Sequence, residues 1–306
     1  MCTDRHFSTI LIWGWIGSLF TTLEGTRLSG STSSSGARCQ GCGDEEPSAL
    51  RVNAPRYDGE IVPGQDLAEL LLALVSGLED GDIVVVSSKA VAKAEGRVVE
   101  VGESWERQRL IEQETVREVA WRDTPSGRVS VVENRLGVVG AAAGVDMSNV
   151  VSGSAVLPPV DPDASARRIR ANLRRLTGRN TAIVVSDTLG RPWRIGQTDV
   201  AIGCAGMPPL LDLSGTVDPY GNTLKVTAPA VADEVAAAAE LAMGKLNGCP
   251  MAVVTGLVRL VLPADQDGPG ARAILRSAEE DWFRQGSREA WEAGYRAGMA
   301  GAAGEL

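Results

Sequence analysis

The 306-residue chain has only one histidine, His6, and few cysteines. Catalytic triads and zinc centres built on histidine are therefore close to excluded. The five cysteines are too few and too scattered for a disulfide framework, and the Cys39–Cys42 pair alone cannot complete a four-ligand zinc site. These absences indicate a reducing, cytoplasmic setting. Any catalysis would have to use carboxylates, lysine, arginine or a bound metal ion.

Excess positive charge and long apolar runs are also missing. The formal charge is -9, which argues against general attraction to nucleic acid, although a local basic patch could still bind a phosphorylated small molecule. Phe7–Phe20 is mostly apolar but too short to span a bilayer, and it lacks the charge and the cleavage site of a signal peptide. We expect neither a nucleic acid nor a membrane partner.

The chain divides into three parts by composition. Residues 1–48 contain a Ser/Gly-rich stretch, and we interpret them as a disordered extension or as the product of a start codon assigned too early. Residues 49–261 have the regular apolar patterning of a folded domain. Residues 262–306 begin with a polar, glycine-rich segment and predict a linker followed by a helix.

Strand and helix patterns within residues 49–261 predict an α+β fold with mixed sheets and packed helices. No G-x-G-x-x-G follows any strand, so a Rossmann dehydrogenase has no support. The charged segment Ser104–Ala120 predicts a helix, and Thr216–Thr227 predicts a hairpin around Pro219–Asn222.

The segment Ser186–Gly203 follows the β-branched run Thr181–Val185, so we expect Asp187 and Thr188 to stand at the end of a buried strand. A carboxylate beside a hydroxyl suits Mg²⁺ or Mn²⁺, which take oxygen ligands and often bridge to phosphate. The alternative is an Asp-Thr turn with ordinary hydrogen bonds.

Two further groups of polar residues are candidates for ligand binding. Lys89 and Lys93 lie four residues apart, which on a helix places both amines on one face and favours an anion between them. A solvated lysine face is the alternative. Asp146 and Asn149 follow a run of small residues and can reach one site if the chain turns, or they can belong to a tight loop capped by aspartate.

These motifs together resemble the coenzyme F420:L-glutamate ligase family from roughly Asp58 to Leu260, and particularly its actinobacterial branch without the C-terminal nitroreductase-like domain. The resemblance implies an F420 γ-glutamyl ligase-like fold in an intertwined homodimer. It implies a GTP-dependent ligase that adds L-glutamate to F420-0 through an acyl phosphate. The implied cofactors are Mg²⁺ or Mn²⁺, with K⁺ as a further candidate, and GTP is the co-substrate.

The resemblance also assigns roles to residues. It implies metal binding by Asp146, Asp187 and Thr188, with Lys89 joining the two aspartates in the catalytic set. The nucleotide contacts that it implies are Gly59, Glu60, Ile61, Ser88, Lys89, Lys93, Asn149, Gly244 and Lys245. In addition, we interpret Arg191 and Arg194 as contacts to a phosphate of F420-0 or to the incoming glutamate, with Trp193 packing on a flat surface. The alternative is that these arginines pin their loop to acids of the chain.

This sequence departs from the family pattern at several positions. Gly59 replaces a proline, Leu136 stands where many relatives have histidine, and Ala142 where many have asparagine. Some relatives place a metal-contacting glutamine at the position of Lys245, so we expect Lys245 to contact phosphate and not metal. These changes, with the missing C-terminal domain, leave a second hypothesis: a catalytically silent nucleotide-binding subunit that partners a separate flavin reductase.

Overall fold

The computed structural model describes residues 49–125, 127–281, 283 and 285–303. The interpretation of residues 1–48, with His6 and the Cys39–Cys42 pair, lies outside them. The strands are β1 (Arg51–Asn53), β2 (Ile83–Ser87), β3 (Val98–Glu100), β4 (Thr115–Thr124), β5 (Gly127–Asn134), β6 (Val139–Ala141), β7 (Ser154–Val156), β8 (Ala182–Arg191), β9 (Arg194–Ala205) and β10 (Met251–Thr255).

The helices begin mostly at residues whose side chains satisfy free backbone N–H groups. Asp66 accepts from the N–H of Ala68 at the first helix, and Asp161 accepts from that of Ala164 at the fourth. The helices are α1 (Leu67–Leu74), α2 (Ser88–Ala94), α3 (Ser104–Glu114), α4 (Pro162–Thr177), α5 (Val231–Met243) and α6 (Ser287–Ala303). None of the described helices has the length and apolar character needed to cross a membrane.

A five-stranded mixed sheet in the order β1-β10-β2-β8-β9 lies between two layers of helices. Only β2 and β8 pair in parallel within it. Side chains alternate across a strand, so Val84 and Val86 pack with α1, α2 and α4, whereas Ile83 and Val85 pack with α5. Because helices cover both faces, the central strands are continuous runs of valine and isoleucine.

Two smaller sheets complete the fold. β3 pairs with β7, and β4, β5 and β6 form an antiparallel sheet. A separate core joins them to α3, and it consists of Val101, Ile111, Val132, Ala143, Val145, Ala155 and Leu157. The prediction of an α+β chain with mixed sheets is confirmed.

One local prediction is corrected and another is confirmed. The helix predicted for Ser104–Ala120 ends at Glu114, since the β-branched Thr115 and Val116 begin β4, which pairs with β5. The hairpin predicted around Pro219–Asn222 is present: backbone hydrogen bonds join Asp218 to Asn222 and Thr216 to Leu224, on either side of a bridge between Val217 and Thr223. The Asp218 carboxylate accepts backbone N–H groups there and closes the turn.

Candidate functional site

The site begins where the parallel strands β2 and β8 end their shared pairing. Ser87 lies opposite Ser186, so the next residues along each chain, Ser88 and Asp187, are neighbours. The Ser88 hydroxyl donates to Oδ1 of Asp187 across 2.9 Å. Ser88 is also the first residue of α2, whose N-terminus is capped by the Ser87 side chain. The strand register therefore brings two distant segments of the sequence together.

Asp187 has an environment that disfavours its negative charge. Burial raises the pKa of its carboxyl group, and the charges of Asp199 and Asp146 add to the rise, against hydrogen bonds from Ser88 and from the backbone of Thr188. Among the described residues, no lysine or arginine forms an ion pair with Asp187. A carboxylate in this setting fits a bound cation, because a cation would offset the cost of its burial.

The strand β8 does not end at Asp187, contrary to our expectation, and continues to Arg191 as one arm of a hairpin with β9. The alternative of an Asp-Thr turn is therefore wrong. Thr188 lies directly opposite Asp199, and its hydroxyl donates to Oδ1 of that residue across 2.7 Å. The buried Asp199 also accepts from the Ser186 hydroxyl at 3.2 Å.

Asp199 is a site residue that we did not single out from the sequence. The signal that could have found it is the antiparallel hairpin around Pro192 and Trp193, which places Asp199 on the same face of the sheet as Thr188. Reading that segment as a loop concealed this pairing.

Asp146 joins the site just after the short 3₁₀ segment Ala142–Gly144, where it forms an isolated bridge with Val156. Lys89 pairs with Oδ2 of Asp146 at 2.7 Å and donates to the Ser148 carbonyl and hydroxyl oxygens. Burial alone would raise the pKa of Asp146, but hydrogen bonds from Lys89 and Ser148 and the lysine charge outweigh it and lower the pKa. Ala142 adopts a left-handed φ of 56°. Asparagine tolerates that conformation better than alanine does, which gives a physical reason for the asparagine expected at this position in many relatives.

Lys93 lies one helical turn beyond Lys89 and is buried. It pairs with Oε1 of Glu60 at 2.5 Å and donates to the Asn149 carbonyl at 3.1 Å. The two lysines therefore share a face of α2, as predicted, but acids of the chain itself compensate their charge. The alternative of a solvated lysine face is wrong for Lys93.

The remaining nucleotide candidates surround this cluster. Gly59 is exposed next to Glu60, whereas the Ile61 side chain is buried in the core beside α1. Gly244 ends α5 with a φ of 61°, and the Asn149 amide donates to the Lys245 carbonyl at 3.3 Å. Hydrogen bonds and ion pairs thus link sequence-predicted candidates from five separate segments around the ends of β2 and β8.

The Lys245 ammonium contacts Thr188 Oγ1 and Asp199 Oδ1, each at 2.7 Å, and Glu240 Oε1 at 3.2 Å. Partial burial works to lower the pKa of this amine, but the hydrogen bonds and charges of Asp199 and Glu240 outweigh it and raise the pKa. Lys245 is therefore charged at neutral pH.

Arg191, Trp193 and Arg194 lie at the tip of the β8–β9 hairpin, where the side chains are exposed. At a rise of about 3.3 Å per residue, Arg191 stands roughly 10 Å along the strand from Thr188. Trp193 contacts Phe283 edge-on, with 5.3 Å between ring centroids. Neither arginine pairs with an acid in the described part of the chain, which argues against the alternative that they pin the loop.

The carboxylates alone do not form a complete metal centre. Within the described ranges, no group of three or more histidine, cysteine, aspartate or glutamate side chains is arranged to hold a metal ion. Mg²⁺ in proteins is commonly held by one or two carboxylates together with substrate phosphates and water. The arrangement of Asp146 and Asp187 fits that mode, in which a substrate completes the coordination.

Comparison with known proteins identifies the kind of chain that carries this site. The family described as F420-0:Gamma-glutamyl ligase matches residues 58–256. The chain belongs to that family. The matched range of this F420-0:γ-glutamyl ligase family member contains every site candidate described above.

Individual relatives agree with this assignment. A coenzyme F420:L-glutamate ligase of Methanopyrus kandleri is 39% identical over 248 residues, which cover 77% of this chain and 98% of the relative. Proteins of the same name from Methanothermobacter thermautotrophicus and Archaeoglobus fulgidus are 39% and 38% identical, covering 72% and 74% of this chain and 93% and 92% of their own lengths. The resemblance inferred from the motifs is confirmed at the level of the family.

Proposed function

We propose that this family member joins L-glutamate to coenzyme F420-0 through a γ-glutamyl amide, with GTP as the source of energy. One observation carries the proposal: in a chain of this family, the partly buried carboxylate of Asp187 lacks a basic partner in the described structure, while its acidic neighbours Asp146 and Asp199 pair with Lys89 and Lys245. Such a site binds a cation and the phosphates that accompany it.

The reaction needs activation because hydroxide is a poor leaving group. In the first step a carboxylate oxygen of F420-0 attacks the γ-phosphorus of GTP, an O–P bond forms, and the bond to the GDP oxygen breaks. In the second step the amine of L-glutamate attacks the acyl carbon and phosphate leaves. The nitrogen loses a proton, and the products are the amide, GDP and phosphate.

Phosphoryl transfer depends on charge neutralisation and alignment more than on a protein nucleophile. Asp146, Asp187 and Thr188 would hold Mg²⁺ or Mn²⁺, with K⁺ as a further candidate cation. When bound, the divalent ion neutralises charge on phosphate oxygens. Lys89 and Lys93 on α2 would exchange their present carboxylate partners for phosphate oxygens, which are similar acceptors.

Backbone groups would complete the nucleotide site. The N–H groups near Gly59 and Gly244 lie in exposed or turning segments where a ligand can approach the main chain. Asn149 has a left-handed φ of 54°, which asparagine tolerates and which turns the chain beside Lys93. Arg191, Trp193 and Arg194 would contact F420-0 or glutamate from the hairpin tip.

The proposal is tested by incubating the purified chain with F420-0, L-glutamate, GTP and Mn²⁺ and measuring product mass. We expect a gain of one or more glutamyl units that requires every component. Asp187→Asn should lower the rate by on the order of 10²-fold or more while leaving the melting temperature similar, because it removes charge from the proposed cation site. Asp123→Asn, on the exposed part of β4, is the matched control and should remain active.

The hypothesis of a catalytically silent subunit gains no support from the comparisons, since the matched relatives are named as ligases. It nevertheless makes the opposite prediction in the same assay. A chain that binds GTP but gives no glutamyl product with all components present would favour it and contradict the ligase proposal.

A further inference from the structure

The position of the Lys245 ammonium resembles that of a metal ion. Its Nζ atom has three oxygen neighbours from three elements: Thr188 on β8, Asp199 on β9 and Glu240 on α5. The Asp199 side chain is 7% exposed and that of Glu240 24%, so both acids are largely withdrawn from water. Two carboxylates and a hydroxyl are ligands that a divalent cation also takes.

The Thr188 hydroxyl belongs to this cluster and keeps one lone pair for the neighbouring cation site. It donates its hydrogen to Asp199 at 2.7 Å and accepts from Lys245 at the same distance. Thr188 stands beside Asp187 in the chain, so the Lys245 cluster is immediately adjacent to the proposed cation site. The two positions differ in their carboxylates, because Ser88, and not Lys245, contacts Asp187, whereas Thr188 borders both positions.

The loop that carries Lys245 is fixed by its backbone. Gly244 adopts a φ of 61°, and a Cβ atom there would lie 2.5 Å from the Asn247 amide nitrogen. The Lys245 carbonyl accepts from the Asn149 amide on the opposite side. A lysine held in this way reaches the oxygen cluster at a smaller cost in entropy than a freely moving side chain would.

The pairing of carboxylates with lysines in the described site supports one internal and one external cation. Lys89 pairs with Asp146 alone, whereas Lys245 contacts both Asp199 and Glu240. Asp187 is the carboxylate of this group left without a basic partner in the described structure. The Asp146–Asp187 side therefore contains the carboxylate that no lysine contacts, and an ion from solution would bind there.

We propose that Lys245 is a built-in cation of the site, whose ammonium occupies the oxygen cluster of Thr188, Asp199 and Glu240 in place of a metal ion. The chain then takes up one divalent ion fewer than the same site without the lysine. This inference rests on the proposed function, which gives the site its role in catalysis. The inference itself concerns the number of ions that the protein binds. Lys245 acts on the reaction as a positioning residue through Thr188 and Asp199.

The experiment counts bound Mn²⁺ in the full chain, without nucleotide, from the EPR signal of the free ion. Lys245→Met removes the ammonium and keeps a side chain of similar length, so the two freed carboxylates should bind one additional Mn²⁺ per chain. Lys245→Gln is a second neutral variant, in case the first folds poorly, and circular dichroism melting checks both. Lys225→Met is the control, since Lys225 is exposed and outside the site, and should bind as many ions as the wild type.

An unchanged Mn²⁺ count in folded Lys245→Met and Lys245→Gln chains would overturn the inference. That result would leave the proposed ligase activity intact if the wild type still forms the glutamyl product. Conversely, a wild type that forms no glutamyl product with all components present, beside variants that gain one ion, would support the built-in cation and contradict the proposed function.

Discussion

Acidic side chains of this chain differ in whether their surroundings favour the charged form. Asp82 is 5% exposed, and burial is the largest cause of its raised pKa, against a hydrogen bond from the Glu79 backbone. Its neighbour Asp80 is exposed, and hydrogen bonds from Asn180 and Arg179 lower its pKa. These two nearby carboxylates should therefore affect stability in opposite directions as pH changes.

We predict that Asp82→Asn stabilises the protein at pH 7. A carboxyl group whose pKa is raised by folding costs stability once it ionises in the unfolded chain, at about pH 4, and the full cost is present above its folded pKa. The gain from this substitution should thus grow from about pH 4 upward, as measured by urea unfolding at several pH values. Asp80→Asn is the matched control and should show no such gain. A gain independent of pH would contradict the electrostatic cause.

We also predict that Cys204 is unreactive in the native protein. Burial, with smaller contributions from the charges of Asp163 and Asp233, raises the pKa of its thiol to about 12. The nucleophilic thiolate is therefore almost absent at pH 8. Iodoacetamide treatment followed by peptide mass analysis should modify Cys204 only after denaturant is added, and the partly exposed Cys249 should react faster. Equal native labelling of the two would refute this.

At the scale of elements, the packing of α4 on β9 depends on a position without a side chain. A Cβ atom on Gly203 would lie 2.5 Å from the backbone of Pro162, the first residue of α4. That contact is too short for real atoms, so the helix approaches the strand at this point because glycine allows it.

We predict that Gly203→Ala destabilises the fold by about 1–3 kcal/mol, because the helix or the strand must shift to admit the methyl group. Urea unfolding would measure the change. Gly190→Ala, on the paired strand β8, has no atom within 4 Å of the added Cβ and provides the control. It should leave stability within about 0.5 kcal/mol of the wild type. Similar losses in both variants would contradict the packing argument.

The exposed tip of the β8–β9 hairpin leads to a kinetic prediction. If Arg194 contacts F420-0 or glutamate, Arg194→Ala should raise the Michaelis constant for that substrate roughly tenfold, the loss of one charge-assisted hydrogen bond, and leave that for GTP unchanged. The exposed Arg122→Ala on β4 is the control. Unchanged constants for all three substrates would end the assignment of Arg194.

The site and its surroundings show which features could be predicted from the sequence and which could not. The helical spacing of Lys89 and Lys93 is a local property of the sequence, and α2 places both as predicted. The partners of these lysines, and the role of Asp199, depend on pairing between strands and on loops far apart in the chain. Local pattern also could not reveal that Thr115 ends a helix in favour of β4, because that choice depends on pairing with β5.

At the scale of the whole molecule, the exposed apolar side chains of the described residues include those of the hairpin tip and of the three-stranded sheet. Trp193 and Ile195 at the hairpin tip are 85% and 102% exposed. On the three-stranded sheet, the exposed apolar side chains are Val116, Trp121, Val129, Val131 and Val139. Such surface favours association with another protein or with a second copy of the chain.

We predict a homodimer, as the family resemblance implies. Light scattering after size-exclusion chromatography should give twice the chain mass of 32.1 kDa. Dilution should leave that mass unchanged if the two copies are intertwined, because separating them would require unfolding. A mass of one chain at the concentrations of the activity assay would contradict the prediction.

The parallel alignment of β2 with β8 has a consequence for how activity can be used as a measurement. Sliding one strand by a single residue would turn Asp187 to the opposite side of the sheet from Ser88 while many valine contacts could still form. The helix content of the protein would hardly change with such a shift in register. Enzymatic turnover would therefore distinguish correctly folded molecules from compact molecules with a shifted strand register in a refolded preparation.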